Sequence, residues 1–281
     1  MTHRLGHAAI VFGLAAGTIA VVLAVPVSTR VVQVYPSGDV LPSNLLRLYV
    51  YFSAPMSRGE AERHIHLLGS QGQMLPGIFL PGEELWDPRQ QRLTMTFDPG
   101  RIKRGLTSNT AMGPPIAEGA RYTLVIDRDW QDAAGAPLAG EFRKAFRGGP
   151  AVRTAPDPKR WRVTAPPAGS ADPLVIDFPR PMNYVLLLRM IRVSTGSADV
   201  SGNAVIDRHE TEWRFTPHQA WAAGRYQLVV DTVLEDLAGN HIGQLFDIDV
   251  STNRRQEVAS PTVEIPFQVR SAPRSDTRSE R

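Results

Sequence analysis

The chain states one series of strands and turns twice, and this repetition constrains its fold more than any other feature. Phe52-Ser53-Ala54-Pro55-Met56 is answered by Phe178-Pro179-Arg180-Pro181-Met182, and Phe97-Asp98-Pro99 by Phe215-Thr216-Pro217. Arg121-Tyr122-Thr123-Leu124-Val125 returns as Arg225-Tyr226-Gln227-Leu228-Val229, and Asp132-x-x-Gly135 as Asp236-x-x-Gly239, both at a separation of 104. The separation is 126 at the methionines and 118 at the phenylalanines, so the earlier copy is expected to carry eight and then fourteen extra residues as loops.

The repeated segments read as strands. Leu46, Leu48, Val50 and Phe52 alternate with Arg47, Tyr49 and Tyr51, the period of a half-buried strand. Short runs of the same kind recur at residues 93–97, 122–126, 174–178, 213–215 and 226–230, separated by Gly, Pro and Asp, and no long amphipathic helix competes with them. Proline ends a strand because it donates no ladder hydrogen bond, and the methionine after it fills an irregular gap. Aspartate followed by glycine makes a turn in which the carboxylate accepts backbone N–H groups and glycine supplies a positive φ. Many short strands with frequent turn signals predict an all-β sandwich architecture.

The order Phe-x-x-Pro-Met, an aromatic strand ending Phe-x-Pro, Gly-x-Tyr-x-Leu and Asp-x-Ala-Gly-Asn resembles the bacterial immunoglobulin-like domains of surface-layer proteins. Gly224-Arg225-Tyr226-Gln227-Leu228 and Glu235-Asp236-Leu237-Ala238-Gly239-Asn240 carry the match best. The earlier copy departs from it at Ala120 and Ala136, where the later one has Gly224 and Asn240. The resemblance implies two tandem immunoglobulin-like β-sandwich domains, a structural or adhesive role, and no catalytic residues. The expected organisation is a signal or membrane-anchor segment at 1–29, one domain at 30–147, a Gly/Pro/Ala-rich linker at 148–159 and a second domain at 160–269. That second domain is expected to include an extra edge strand over 262–269, and 270–281 to be a disordered tail.

Export follows from the amino terminus. Arg4 precedes residues 8–25, which hold no charge, so the segment is either a cleaved signal or an uncleaved anchor with Arg4 on the cytoplasmic side. Both readings place the body outside the cytoplasm. The net charge of +3 invites a nucleic-acid reading, but Arg4 supplies one unit and residues 252–281 carry six arginines against four acids. The body between is neutral, which argues against binding a phosphate backbone. The absence of cysteine excludes disulfides and thiolate metal sites.

Chemistry has no anchor in the motifs: there is no phosphate-binding glycine loop, no Gly-x-Ser-x-Gly elbow and no His-Glu-x-x-His. No catalytic, cofactor or metal residue is assigned, and the chain is read as a non-enzyme without a cofactor. His64 and His66 would share one face of a strand, but two ligands do not complete a metal site. His209, Glu210 and Glu212 are discounted in the same way. Asp236 and Asn240, with Asp231 and Glu235 nearby, supply oxygens that calcium uses elsewhere, and a turn satisfying its own backbone explains them without an ion. Trp86, Trp130, Trp161, Trp213 and Trp221 suit core packing better than a sugar platform. Arg101, Lys103 and Arg104, in the longer insertion, are the candidate binding loop. The resulting expectation is an exported envelope spacer or adhesion module. Alternatives are a carbohydrate- or polymer-binding protein and an accessory subunit of a secretion or surface assembly, with an unidentified envelope protein or polymer as partner.

Overall fold

A computed structural model of the chain describes residues 28–82, 84–247 and 260–271. The apolar segment 8–25 and most of the expected tail lie outside the described residues. The first strands are β1 (Val31–Tyr35), β2 (Val40–Pro42), β3 (Arg47–Phe52), β4 (Ile65–Leu68), β5 (Leu85–Trp86), β6 (Arg92–Thr96), β7 (Arg121–Ile126) and β8 (Phe142–Gly149). They are followed by β9 (Arg162–Thr164), β10 (Leu174–Asp177), β11 (Ile191–Ser194), β12 (Gly202–Asp207), β13 (Glu212–Pro217), β14 (Gly224–Asp231) and β15 (Thr262–Val269). Helical turns are single and short: α1 (Ala61–His64), α2 (Pro99–Ile102), α3 (Thr107–Met112) and α4 (Tyr184–Leu187).

The fold is all-β. Sheet β1-β3-β6-β5 faces sheet β2-β8-β7-β4 across a core that includes Leu48, Val50, Leu93, Leu124 and Trp130. Sheet β12-β13-β10-β9 and the three-stranded sheet β11-β14-β15 enclose a second core with Leu174, Ile176, Trp213, Leu228 and Leu234. Period-2 alternation produces this directly: Leu174 and Ile176 of β10 are fully buried while Val175 and Asp177 between and after them are half-buried.

The recurrence seen in sequence extends to the hydrogen-bond register. Ile65 pairs with Ile126 between β4 and β7, and Ile191 with Val230 between β11 and β14, the same separations of 126 and 104. Met56 bridges Asp132 and Met182 bridges Asp236, both methionines fully buried beneath the turn. Tyr122 stacks on Phe146 at 5.4 Å, and Tyr226 on Phe267 at 5.5 Å. The ladder revises the pairing of the phenylalanines. Phe52 N–H donates to Gln91 O and Phe178 N–H to Thr211 O, so the separation there is 120 and Phe215 corresponds to Met95, two residues before Phe97. The insertions are therefore six and sixteen residues.

Two further sequence expectations change. Thr262–Val269 is an edge strand, with Pro266 in its ladder, but it is not extra: it pairs with β14 over eight residues in the place where β8 pairs with β7 over six. Gly148 and Gly149, assigned to the linker by composition, are the last residues of β8 and pair in parallel with Leu41 and Pro42. A Cβ on Gly148 would collide with the Ala117 carbonyl, so a residue type that suggests a linker is here a requirement of close packing.

Candidate functional site

The most elaborate chemistry lies where the two cores meet. The Tyr35 and Tyr184 rings stack with centroids 3.5 Å apart and 10° between planes, and Tyr51 meets both edge-on. The turn α4 that presents Tyr184 is capped by Asn183, whose Oδ1 accepts from Val185 and Leu186 N–H while its Nδ2 donates to Tyr49 Oη at 2.8 Å. Burial of the phenols pushes Tyr49 and Tyr184 above the ordinary range. Arg47 pairs with Glu235, and Leu46 N–H donates to Leu237 O at 2.9 Å. Leu237 and Phe246, from the later half of the chain, pack against the first core.

The β12–β13 hairpin docks on the loop after β1. Its turn holds Arg208, His209 and Glu210 at φ of 50°, 54° and 62°, a run of left-handed residues that costs about 1–2 kcal/mol each. That conformation carries the Glu210 carboxylate to Ser37 N–H, which donates to both oxygens at 3.0 and 3.1 Å, and sets His209 Nδ1 3.1 Å from Ser37 Oγ. Burial raises the Glu210 carboxyl above its usual range, against the hydrogen bonds from Ser37. Burial likewise lowers the Lys144 ammonium, which donates to the carbonyls of Ser37 and Gly38 at 2.8 and 3.1 Å.

The connection between the cores is also tied. Asn44 and Val152 exchange two hydrogen bonds of 2.8 Å, and Asn240 Nδ2 donates to the same Val152 carbonyl. The candidate binding loop turns out to belong here. Arg104 donates to the buried Asp247 carboxylate from its backbone N–H and its Nε, at 3.0 and 2.8 Å. The Lys103 ammonium lies 4.4 Å above the Phe246 ring, and Arg101 donates to the carbonyls of Gly113 and Gly77. Arg101 thus braces the insertion, while Lys103 and Arg104 reach the joint, with the Arg104 side chain still exposed. Sequence spacing could not reveal this, since their partners lie up to 143 residues away.

Trp130, Trp161, Trp213 and Trp221 are buried, and the indole N–H of the half-buried Trp86 donates to Glu84. None of the five is an exposed sugar platform. The Asp236 carboxylate accepts from Ala238 and Asn240 N–H and from Asn240 Nδ2, and pairs with Arg180 at 3.1 Å. In the corresponding turn Ala136 leaves the asparagine's place open, and the Thr29 hydroxyl donates to Asp132 at 2.6 Å instead.

His64 and His66 do not share a strand face: His64 ends α1 and His66 lies in β4. The fold gathers around them three carboxylates that local spacing did not predict. His66 Nε2 lies 2.9 Å from Asp127 Oδ2, His64 Nδ1 3.3 Å from Asp129 Oδ1, and His64 Nε2 3.8 Å from Glu60. Beside β4, the chain between Met74 and Gly82 crosses from one sheet to the other and leaves an apolar cleft of about 250 Å³, with Met74, Leu80 and Leu85 exposed around or near it.

No protein-family profile matches the chain, and no curated protein matches it in sequence. Among solved structures it is similar to native α-2-macroglobulin of Escherichia coli spanning domains MG0-NIE-MG1, at 11% identity and a TM-score of 0.29, covering 86% of this chain and 71% of that fragment. Domains 1–6 of the surface layer protein SbsC are similar at 9% identity and a TM-score of 0.30, covering 88% of this chain and 42% of theirs. Among the described residues no helix is long and apolar enough to cross a membrane.

Proposed function

We propose that the chain is a non-enzymatic structural module of the cell envelope, in which two tandem immunoglobulin-like sandwiches act as one stiff unit exported through segment 8–25. The joint carries this reading. A flexible spacer would leave its interdomain polar groups to water, whereas here backbone, carboxylate, amide and aromatic groups from both halves are paired across the boundary. In each half a tyrosine hydroxyl bonds to the backbone four or five residues upstream, Tyr122 accepting from Ala117 N–H and Tyr226 donating to Ala222 O, which supports the immunoglobulin-like assignment. The burial of the tryptophans weighs against the carbohydrate-platform alternative.

The test is a pair of spin labels, one on exposed Arg143 of the first half and one on exposed Arg225 of the second, with their separation measured by electron paramagnetic resonance. A single narrow distance distribution is expected, and a broad one would remove the basis for a stiff module. Purification of the tagged chain from native membranes, with mass spectrometry of its amino terminus and partners, tests export and distinguishes a passive spacer from an assembly subunit.

A further inference from the structure

We propose that His64, Asp127 and Asp129 form a binding site for a divalent transition cation of the zinc type, with His66 and Glu60 orienting the ligands. Ligand atoms of His64, Asp127 and Asp129 all lie within 4.8 Å of one another. His64 Nδ1 is buried, makes no hydrogen bond, and faces Asp129 Oδ1 at 3.3 Å. Roughly that separation is the edge of a tetrahedron whose metal–ligand bonds are about 2.0–2.1 Å long. Imidazole nitrogen with carboxylate oxygen is a donor set suited to zinc and its neighbours rather than to magnesium.

The surrounding contacts are those a metal ligand needs. His66 Nε2 holds Asp127 Oδ2 at 2.9 Å, a contact that fixes the orientation of this carboxylate. Glu60 stands at the opposite nitrogen of the His64 ring, 3.8 Å from Nε2, and the ring itself lies parallel to buried Trp130 at 5.7 Å. Asp127 N–H donates to His64 O, which ties the two segments together at the backbone. Asp129 is 83% exposed, so the remaining coordination position opens to solvent and a bound water can complete the four.

The second half of the chain is an internal control. Its equivalent backbone bond runs from Asp231 N–H to Met190 O, in the same ladder register. There the positions of His64, His66 and Asp129 are taken by Met190, Arg192 and Val233, and the Asp231 carboxylate accepts locally from Val233 N–H. The joint between these strands therefore forms without imidazoles or the second carboxylate. In the first half, Asp127 is instead turned to His66 and two further ligands are added.

The experiment titrates the purified full chain in mild detergent with Co²⁺, reading the visible absorption of a tetrahedral site, then displaces it with Zn²⁺. The variants are the double substitution His64→Met with Asp129→Val, which installs the residues of the equivalent joint and is expected to fold, and His66→Ala. Saturable one-to-one binding by the unsubstituted chain is expected, abolished in the double variant and weakened about 10–100-fold by His66→Ala. An unsubstituted chain that shows no cobalt spectrum and no zinc-dependent rise in thermal midpoint overturns the proposal. So does a double variant that binds as well as the original.

Discussion

Tyr35 and Tyr184, 149 residues apart in the chain, stack face to face across the boundary between the two hydrophobic cores, with 3.5 Å between their centroids. Each also meets Tyr51 edge-on, so one ring from the second half completes an aromatic cluster of the first. Tyr184→Ala is expected to lower stability by about 1–3 kcal/mol. It should also broaden the distance distribution between labels on the two halves. Denaturant unfolding and spin-label distances check the two effects separately.

Gly135 and Gly239 occupy the same place in corresponding turns, at φ of 82° and 77°. A Cβ on Gly135 would meet open space, whereas one on Gly239 would run into Leu46 across the joint and into the Phe246 ring. Gly135→Ala thus measures backbone strain alone, about 1 kcal/mol, and Gly239→Ala adds overpacking of about 1–3 kcal/mol. Equal losses in thermal unfolding would show that the joint yields without resistance.

Glu210 provides a pH signature. Its carboxyl is raised in the folded chain, so between the usual carboxylate value and the raised one the folded state holds more protons than the unfolded state. This contribution to stability is fully present below the ordinary value near 4.5 and is lost as pH rises through the folded one. Glu210→Gln keeps an acceptor for Ser37 and removes the titration. The stability difference between the variant and the original, followed by unfolding from pH 4 to 8, should shift in favour of the variant as pH rises.

Strand β15 covers the open side of β14 along eight paired residues, and its Val269 is buried in the second core. Ending the chain at Ser260 is expected to abolish cooperative unfolding of the second half while leaving the first core's transition in place. Calorimetry of the truncated chain checks this, and an unchanged second transition would mean that β15 is dispensable.

Alternation of apolar residues and the chemistry of Pro-Met and Asp-x-x-Gly turns were sufficient, in sequence alone, to predict an all-β fold and strands β3, β6, β7, β10, β13, β14 and β15, whereas the short or two-sided strands between them carried no such pattern. Strand period and turn preference act over a few neighbouring residues, so they can be read locally. Register already required more, since the Phe97 and Phe215 echo is displaced by two residues in the ladder. The tertiary structure decided the rest. Asn183 reaches Tyr49 across 134 residues, Ser37 reaches Glu210 across 173, and His66 finds Asp127 across 61. Each pairing depends on how strands distant in sequence are stacked, and a carboxylate or imidazole carries no local mark of the partner that folding brings within 3 Å of it.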